Sequence, residues 1–192
     1  MENQIIVLVL CMISFDVKMN IANPVGQTND TIEAPTPLRG LRGFDKEKDT
    51  IVFEDTIYYI GYAWEGNWLQ AMFHCKSLDM DLLSIESKEE NDFLSRKLKE
   101  LLQGREYNFY TSGTRLPYNK WIWMSTGRPV TFTNWKPNEP NNYMDNDETC
   151  IEVQYRYETG LRWNDENRET PDNVICEAKM TNDCELNLYN NV

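Results

Sequence analysis

Glu139-Pro140-Asn141 opens a stretch rich in side-chain oxygens. Asn142, Asp145, Asn146, Asp147 and Glu148 follow, then Cys150, and beyond a strand-like run Trp163-Asn164-Asp165. Carboxylates and amides are mixed here with one thiol and no imidazole. Such a set suits a hard, oxygen-seeking cation, and Ca²⁺ takes about six to eight oxygens of this kind. Zinc or copper would want imidazole or thiolate, and the single histidine, His74, lies far away in the chain. The competing reading is a solvated loop, because Asn and Asp are turn residues in their own right. Three features favour the cation. Pro140 sits between two potential ligands, and X-Pro bonds alone reach the cis form readily; a cis bond there aims Glu139 and Asn141 the same way. Glu148 stands two residues before Cys150, a covalent anchor for its backbone. Asn164 and Asp165 adjoin a tryptophan in a strand-like segment that would hold them rigidly. The candidate metal ligands are therefore Glu139, Asn141, Glu148, Asn164 and Asp165. Tyr143, Asp145 and Asp147 share the loop and read as solvated residues, an auxiliary ion or a ligand contact being the other use open to them.

The elements that must carry this loop are legible from periodicity. Ile51 to Phe53 and Ile57 to Ile60 are β-branched and aromatic, as in a hairpin. From Trp68 the period changes: Trp68, Ala71, Met72, Cys75 and Leu78 share one helical face, which points Cys75 into the core. A second helix starts at Ser87, where Ser87-Lys88-Glu89-Glu90 reads as a capping box. Phe93, Leu94, Leu98, Leu101 and Leu102 form its apolar stripe, and Gly104 stops it. Short strands follow at 107–110, 120–124, 151–155, 161–163 and 174–176, punctuated by Gly, Pro and Asn. Helices first and strands afterwards, with no internal repeat, indicate an α+β domain.

These motifs in this order resemble the C-type lectin domain. Glu139-Pro140-Asn141, a glutamate two before a cysteine, Trp163-Asn164-Asp165 and Cys176-Glu177 carry the resemblance, together with Trp68-x-x-Ala71-x-x-x-Cys75, Leu82-Leu83-Ser84-Ile85 and Glu90, over roughly residues 50 to 179. Tyr110-Thr111-Ser112-Gly113 and Trp123-Met124-Ser125-Thr126-Gly127 resemble the secreted insect members. The resemblance implies a C-type lectin-like fold with two helices and two small antiparallel sheets. Its long loop, about 127 to 148 here, would carry the Ca²⁺ and the sugar. It also implies that Glu139, Asn141, Glu148 and Asn164 bind the sugar. Within the family Glu-Pro-Asn goes with mannose-type sugars, including N-acetylglucosamine and fucose, whereas Gln-Pro-Asp goes with galactose. Four cysteines outside the N-terminal segment allow three pairings; the resemblance implies Cys75 with Cys176. The family's second bridge would join Cys150 to a cysteine shortly after Trp163-Asn164-Asp165, but Arg168 stands at that spacing. Cys150 and Cys184 thus stay unassigned: paired together, left free, or, for Cys184, linked to another chain.

The 192 residues suit one domain, and 41% apolar content with six Trp and ten Tyr argues for a packed core. A formal charge of −12 speaks against nucleic acid and anionic membrane surfaces as partners. Residues 5 to 15 form an apolar run too short to span a bilayer but suited to a signal peptide, although Glu2 replaces the usual basic start. The expected organisation is a signal at 1–22, a flexible linker at 23–48, the lectin domain at 49–180 and a polar tail at 181–192. Asn29-Asp30-Thr31 in the linker is the one N-x-Ser/Thr acceptor for glycosylation. A secreted, extracellular protein follows, with carbohydrate as its partner, no membrane span, and a disulfide-linked or non-covalent oligomer as an option. An enzyme is not expected. Glu139 and Asp165 could make a glycosidase pair, but an ion between them would keep both ionised, and no nucleophile or phosphate-loop motif is present. The rival to a lectin is an interaction module that kept the fold and lost the sugar.

Overall fold

The computed structural model describes residues 49–180. The expected signal, linker, Asn29, Cys11, Cys184 and the tail lie outside the described residues. In chain order the elements are β1 (Thr50–Phe53), β2 (Thr56–Gly66), α1 (Trp68–Ser77), β3 (Asp81–Leu82), α2 (Lys88–Leu102), β4 (Tyr107–Thr114), β5 (Ile122–Trp123), β6 (Arg128–Pro129), a 3₁₀ turn (Tyr143–Asp145), β7 (Glu148–Arg156), β8 (Gly160–Asn167) and β9 (Asp172–Lys179).

Two helices and a mixed sheet make the fold α+β. β1 and β2 form the hairpin, and β2 pairs antiparallel with β9, so the two ends of the described domain lie side by side. β4 joins the two halves. One edge runs antiparallel to β7, and the other runs parallel to β9 through Phe109–Asn173 and Tyr110–Val174. The two small antiparallel sheets expected from the resemblance are therefore fused into one sheet. The short parallel ladder between β4 and β9 belongs to strands distant in sequence, so no local pattern announces it. The two-residue strands β3 and β6 also escape periodicity, being shorter than one repeat of alternation.

Helix ends follow local chemistry. α1 has a full capping box: the Asn67 side chain accepts from Gln70 N–H, and the Gln70 side chain accepts from Asn67 N–H. At α2 only half of the expected box forms. Ser87 Oγ accepts from Glu90 N–H, but the Glu90 carboxylate is drawn away to Glu86 N–H at 2.8 Å and the Tyr58 hydroxyl at 2.7 Å. A buried phenol needs a partner, and Glu90 supplies it. Gln103 and Gly104 take positive φ and end the helix.

The core has two lobes. Leu94, Leu98 and Leu102 of α2 pack with Phe109, Val153, Tyr155 and Trp163, while Trp68, Ala71 and Cys75 of α1 pack with Tyr110, Cys150 and Val174. Cys75 and Cys176 form a disulfide that ties α1 to β9 across 101 residues. In the chain-entropy account such a loop is worth about 4 to 5 kcal/mol.

Candidate functional site

Trp163 fixes the long loop to the core. It is fully buried on β8; its indole N–H donates to Asn91 Oδ1 at 3.0 Å, and its ring meets Trp123, Phe132 and Trp135 edge-on. The segment around Trp135 is joined to β8 by one parallel bridge: Trp163 N–H donates to Asn134 O and Lys136 N–H to Trp163 O. Asn134 also donates its side-chain N–H to Leu161 O at 2.7 Å. Glu139 therefore starts from an anchored backbone three residues beyond Lys136, and the Glu139-Pro140 bond is cis.

Asp165, on the same strand and 1% exposed, binds the loop from below. Its Oδ1 accepts Asn141 N–H and its Oδ2 accepts Asn142 N–H, each at 2.9 Å. Glu148, at the start of β7, grips the next residue, its Oε2 accepting Tyr143 N–H at 2.6 Å. Asn142 returns the grip, its Oδ1 accepting Glu148 N–H at 2.9 Å. Asn142 is thus held at both its backbone and its side chain. Sequence reasoning passed over it, although an Asn able to close an Asx-type turn was the available signal.

Glu139 completes the acidic group. Its Oε1 stands 3.7 Å from Lys136 Nζ, and its Oε2 is buried with no hydrogen-bond donor. The negative charge of Asp165 also acts on it. Burial pushes the Glu139 carboxyl above its ordinary value; the Lys136 ammonium partly offsets this and Asp165 adds to it. Glu148 is raised by burial, offset by the Tyr143 amide and reinforced by the charges of Asp165, Glu166 and Glu139. Asn164, 9% exposed, turns its side-chain N–H onto Asp165 O at 2.6 Å, and Asn141 lies exposed at the rim. The fold thus brings Glu139, Asn141, Glu148, Asn164 and Asp165 to one rim. Among the described residues, no three Asp, Glu, His or Cys side chains are grouped so as to hold a metal ion as they stand; Asp165 and Glu148 are instead drawn onto backbone amides.

The remaining loop residues serve the backbone. Asn138, Asn142, Asp145 and Asp147 all take φ between +45° and +73°, a region Asn and Asp tolerate better than most residues. Asp145 and Asp147 are exposed, as the solvated reading expects. Asn141 and residues 143–147 of the rim are exposed. The better-enclosed cavity, about 300 Å³, lies elsewhere, between Tyr58, Glu90, Glu177 and Lys179.

Behind the rim Cys150 is fully buried and has no disulfide partner among the described residues. Burial pushes its thiol up to about 12. Arg168 is exposed past the end of β8; its carbonyl accepts Trp68 N–H, and its guanidinium pairs with Glu169. Glu152 Oε2 and Asp172 Oδ2 are also buried without donors, and burial beside Glu152 pushes the Asp172 carboxyl well above its ordinary value. That pair carried no sequence signal.

Comparison with known proteins agrees with this architecture. The lectin C-type domain family matches residues 65–178. Equus caballus E-selectin is 31% identical over 110 residues, 56% of this chain and 17% of that protein. Lectin subunit alpha of Sarcophaga peregrina is 28% identical over 126 residues, 62% of this chain and 44% of that protein. The chain therefore spans less than half the length of either relative. Among solved structures, the cow C-type carbohydrate-recognition domain of CD23, determined in the presence of a GlcNAc2Man3 oligosaccharide, superposes with a TM-score of 0.57 at 27% identity, covering 69% of this chain and 95% of that one. With the family's domain spanning more than half of its residues and the fold reproduced around a buried Trp163, the chain belongs to the C-type lectin domain family.

Proposed function

We propose that this chain is a secreted, calcium-dependent carbohydrate-binding protein that recognises mannose-type sugars: mannose, N-acetylglucosamine or fucose. Glycans of microbial surfaces are the target this reading favours. One observation carries it. Glu139 Oε2 is buried without a donor, two residues before Asn141, whose N–H the Asp165 carboxylate accepts; a buried acceptor so placed wants either a proton or a cation. The donor set fits a hard cation: three carboxylates, two side-chain amides and the carbonyl of Asp165, with no imidazole or thiolate among them. Asn164 already lies against that carbonyl, and a half-turn of its amide exchanges N–H for oxygen at the same place.

Calcium, when bound, supplies open coordination positions that two neighbouring sugar hydroxyls fill. The chain's own residues then choose the sugar. Each hydroxyl both donates and accepts. Glu139 and Glu148 take hydroxyl protons, while the amides of Asn141 and Asn164 donate to the hydroxyl oxygens. Acceptor and donor on opposite sides of the ion fit one hydroxyl geometry, which in Glu-Pro-Asn order is the equatorial pair of mannose-type sugars. Because the rim is exposed and few atoms are buried, one site should bind a monosaccharide with Kd on the order of millimolar. Useful avidity would come from several copies, whether non-covalent or linked through Cys184. Nothing in this scheme breaks a bond, and the reading is of a binding protein, not an enzyme.

A second reading has its own support. Asp165 and Glu148 already satisfy themselves on the amides of Asn141, Asn142 and Tyr143, as expected of an interaction module whose loop needs no ion. Retention on immobilised mannan separates the two. The lectin reading expects retention in calcium, release by EDTA, and elution by mannose but not galactose. Retention unaffected by EDTA, or absent in calcium, would favour the interaction module.

A further inference from the structure

The acids of the rim have partners of two different kinds. Asp165 holds the amide N–H groups of Asn141 and Asn142, and Glu148 holds that of Tyr143. Those donors are neutral, and a carboxylate oxygen that accepts one N–H keeps a lone pair for an ion. Glu139 is held differently. Its Oε1 stands 3.7 Å from the Lys136 ammonium, with the two side chains 10% and 31% exposed. A full positive charge therefore sits on one of the candidate ligands, where the other acids meet only backbone.

Lys136 is also fixed in place. Its N–H donates to Trp163 O at 2.8 Å and its carbonyl accepts Glu139 N–H at 3.1 Å, so the turn that delivers Glu139 to the rim delivers Lys136 beside it. The ammonium donates to Gln154 Oε1 at 3.1 Å. Gln154 is itself held, by Arg156 on the same oxygen and by its own N–H on Glu152. Arg115 also approaches the rim, but its guanidinium donates to the Glu148 carbonyl at 3.1 Å and lies over Trp121. It takes no carboxylate oxygen.

We propose that Lys136 is a built-in competitor for the cation of this rim: its ammonium holds Glu139 while the site is empty and yields that carboxylate on calcium binding, so that Lys136 sets the calcium concentration at which the site accepts sugar. This inference rests on the calcium site proposed above and adds its regulation. In the ion-free protein the ammonium offsets part of the repulsion among three carboxylates. In the loaded protein the same charge repels a dication one carboxylate away, and calcium affinity follows the net charge of the ligand set. Lys136 thus stabilises the empty loop and weakens the loaded one, without touching the residues assigned to the sugar hydroxyls.

The test is isothermal titration with calcium chloride alone, at fixed pH and ionic strength, on the wild type and three variants. Lys136→Met removes the charge and keeps the apolar stem. Lys136→Gln removes the charge but keeps a donor for Gln154, and Lys136→Arg keeps the charge. The wild type should bind with Kd of about 10⁻⁴ to 10⁻³ M, the range of extracellular modules. The Met and Gln variants should bind about tenfold tighter, and the Arg variant should match the wild type. Melting temperatures give a second readout: the Met variant should melt below the wild type in EDTA and gain more from calcium. Should the Met variant fail to fold, the Gln variant carries the comparison. At saturating calcium, methyl α-mannoside should bind all four proteins alike. Calcium affinity unchanged or weaker in both uncharged variants, beside a wild type that binds, overturns the competitor and leaves the calcium site standing. A gain in the Met variant alone also overturns it, because the hydrogen bond to Gln154 and not the charge would then be responsible. If none of the four proteins binds calcium, the site itself falls, and this inference falls with it.

Discussion

The Asp165 carboxylate and the Asn142 backbone are joined at 2.9 Å, through Oδ2 and the amide N–H, although 23 residues separate them. A strand in the core thereby sets the conformation of a surface loop. Asp165 holds the loop with one N–H on each oxygen, and each oxygen keeps a lone pair for an ion. Asp165→Ala should abolish calcium-dependent retention on mannan. Removing the carboxylate also strands the amides of Asn141 and Asn142, so stability should fall by about 1 to 3 kcal/mol while the fold survives. Wild-type retention in the variant would contradict the site assignment.

The choice of sugar rests on which side of the ion accepts and which donates. Glu139→Gln with Asn141→Asp reverses that order without moving the backbone. The paired variant should shift inhibition from mannose toward galactose. An inhibition series identical to the parent's would break the hydroxyl account.

Cys150 should be chemically silent in the native protein. It is fully buried, and its thiol is pushed up to about 12, so little reactive thiolate exists near neutral pH. Iodoacetamide at pH 8 should modify Cys150 only in denaturant, as read by peptide mass spectrometry. Labelling of the native protein would refute the burial. Labelling that needs reductant as well as denaturant would show a disulfide, with Cys184 as the partner.

Much of the scaffold was legible in sequence and some of it was not, for physical reasons. α1 and α2 announced themselves because a 3.6-residue apolar stripe spans several turns. The fusion of the sheet through β4 and β9 did not, because a parallel ladder between Phe109 and Asn173 leaves no local trace. The oxygen-rich residues of the rim were visible as types and spacing. Their engagement was not: nothing in Glu139 to Asp165 shows that Asp165 and Glu148 would be spent on loop amides, or that Asn142 would strap the turn. Glu90 made the reverse error visible. It reads as a capping residue, yet the buried Tyr58 hydroxyl competes for its carboxylate.

The Asp172 carboxyl sets a pH dependence away from the rim. Burial beside the Glu152 carboxylate holds it well above the ordinary carboxylate range in the fold. The folded state therefore keeps a proton that the unfolded chain releases, and stability falls as pH rises above the ordinary carboxylate range, by up to ~1.4 kcal/mol per pH unit. Asp172→Asn removes this contribution. Urea midpoints at pH 5 and pH 8 should fall less in the variant than in the wild type. A residual slope is expected, because Glu177 is likewise pushed up to about 8 by burial. Equal slopes in both proteins would contradict the assignment.

The most direct measurement is an NMR titration of the side-chain amides of Asn141 and Asn164, first with calcium and then with methyl α-mannoside. The account predicts that both pairs of amide signals move on adding calcium and move again with mannoside, while galactoside leaves the second state unchanged. Signals that stay fixed through calcium and mannoside, or that move identically with either sugar, would contradict a calcium-dependent mannose-type site at this rim.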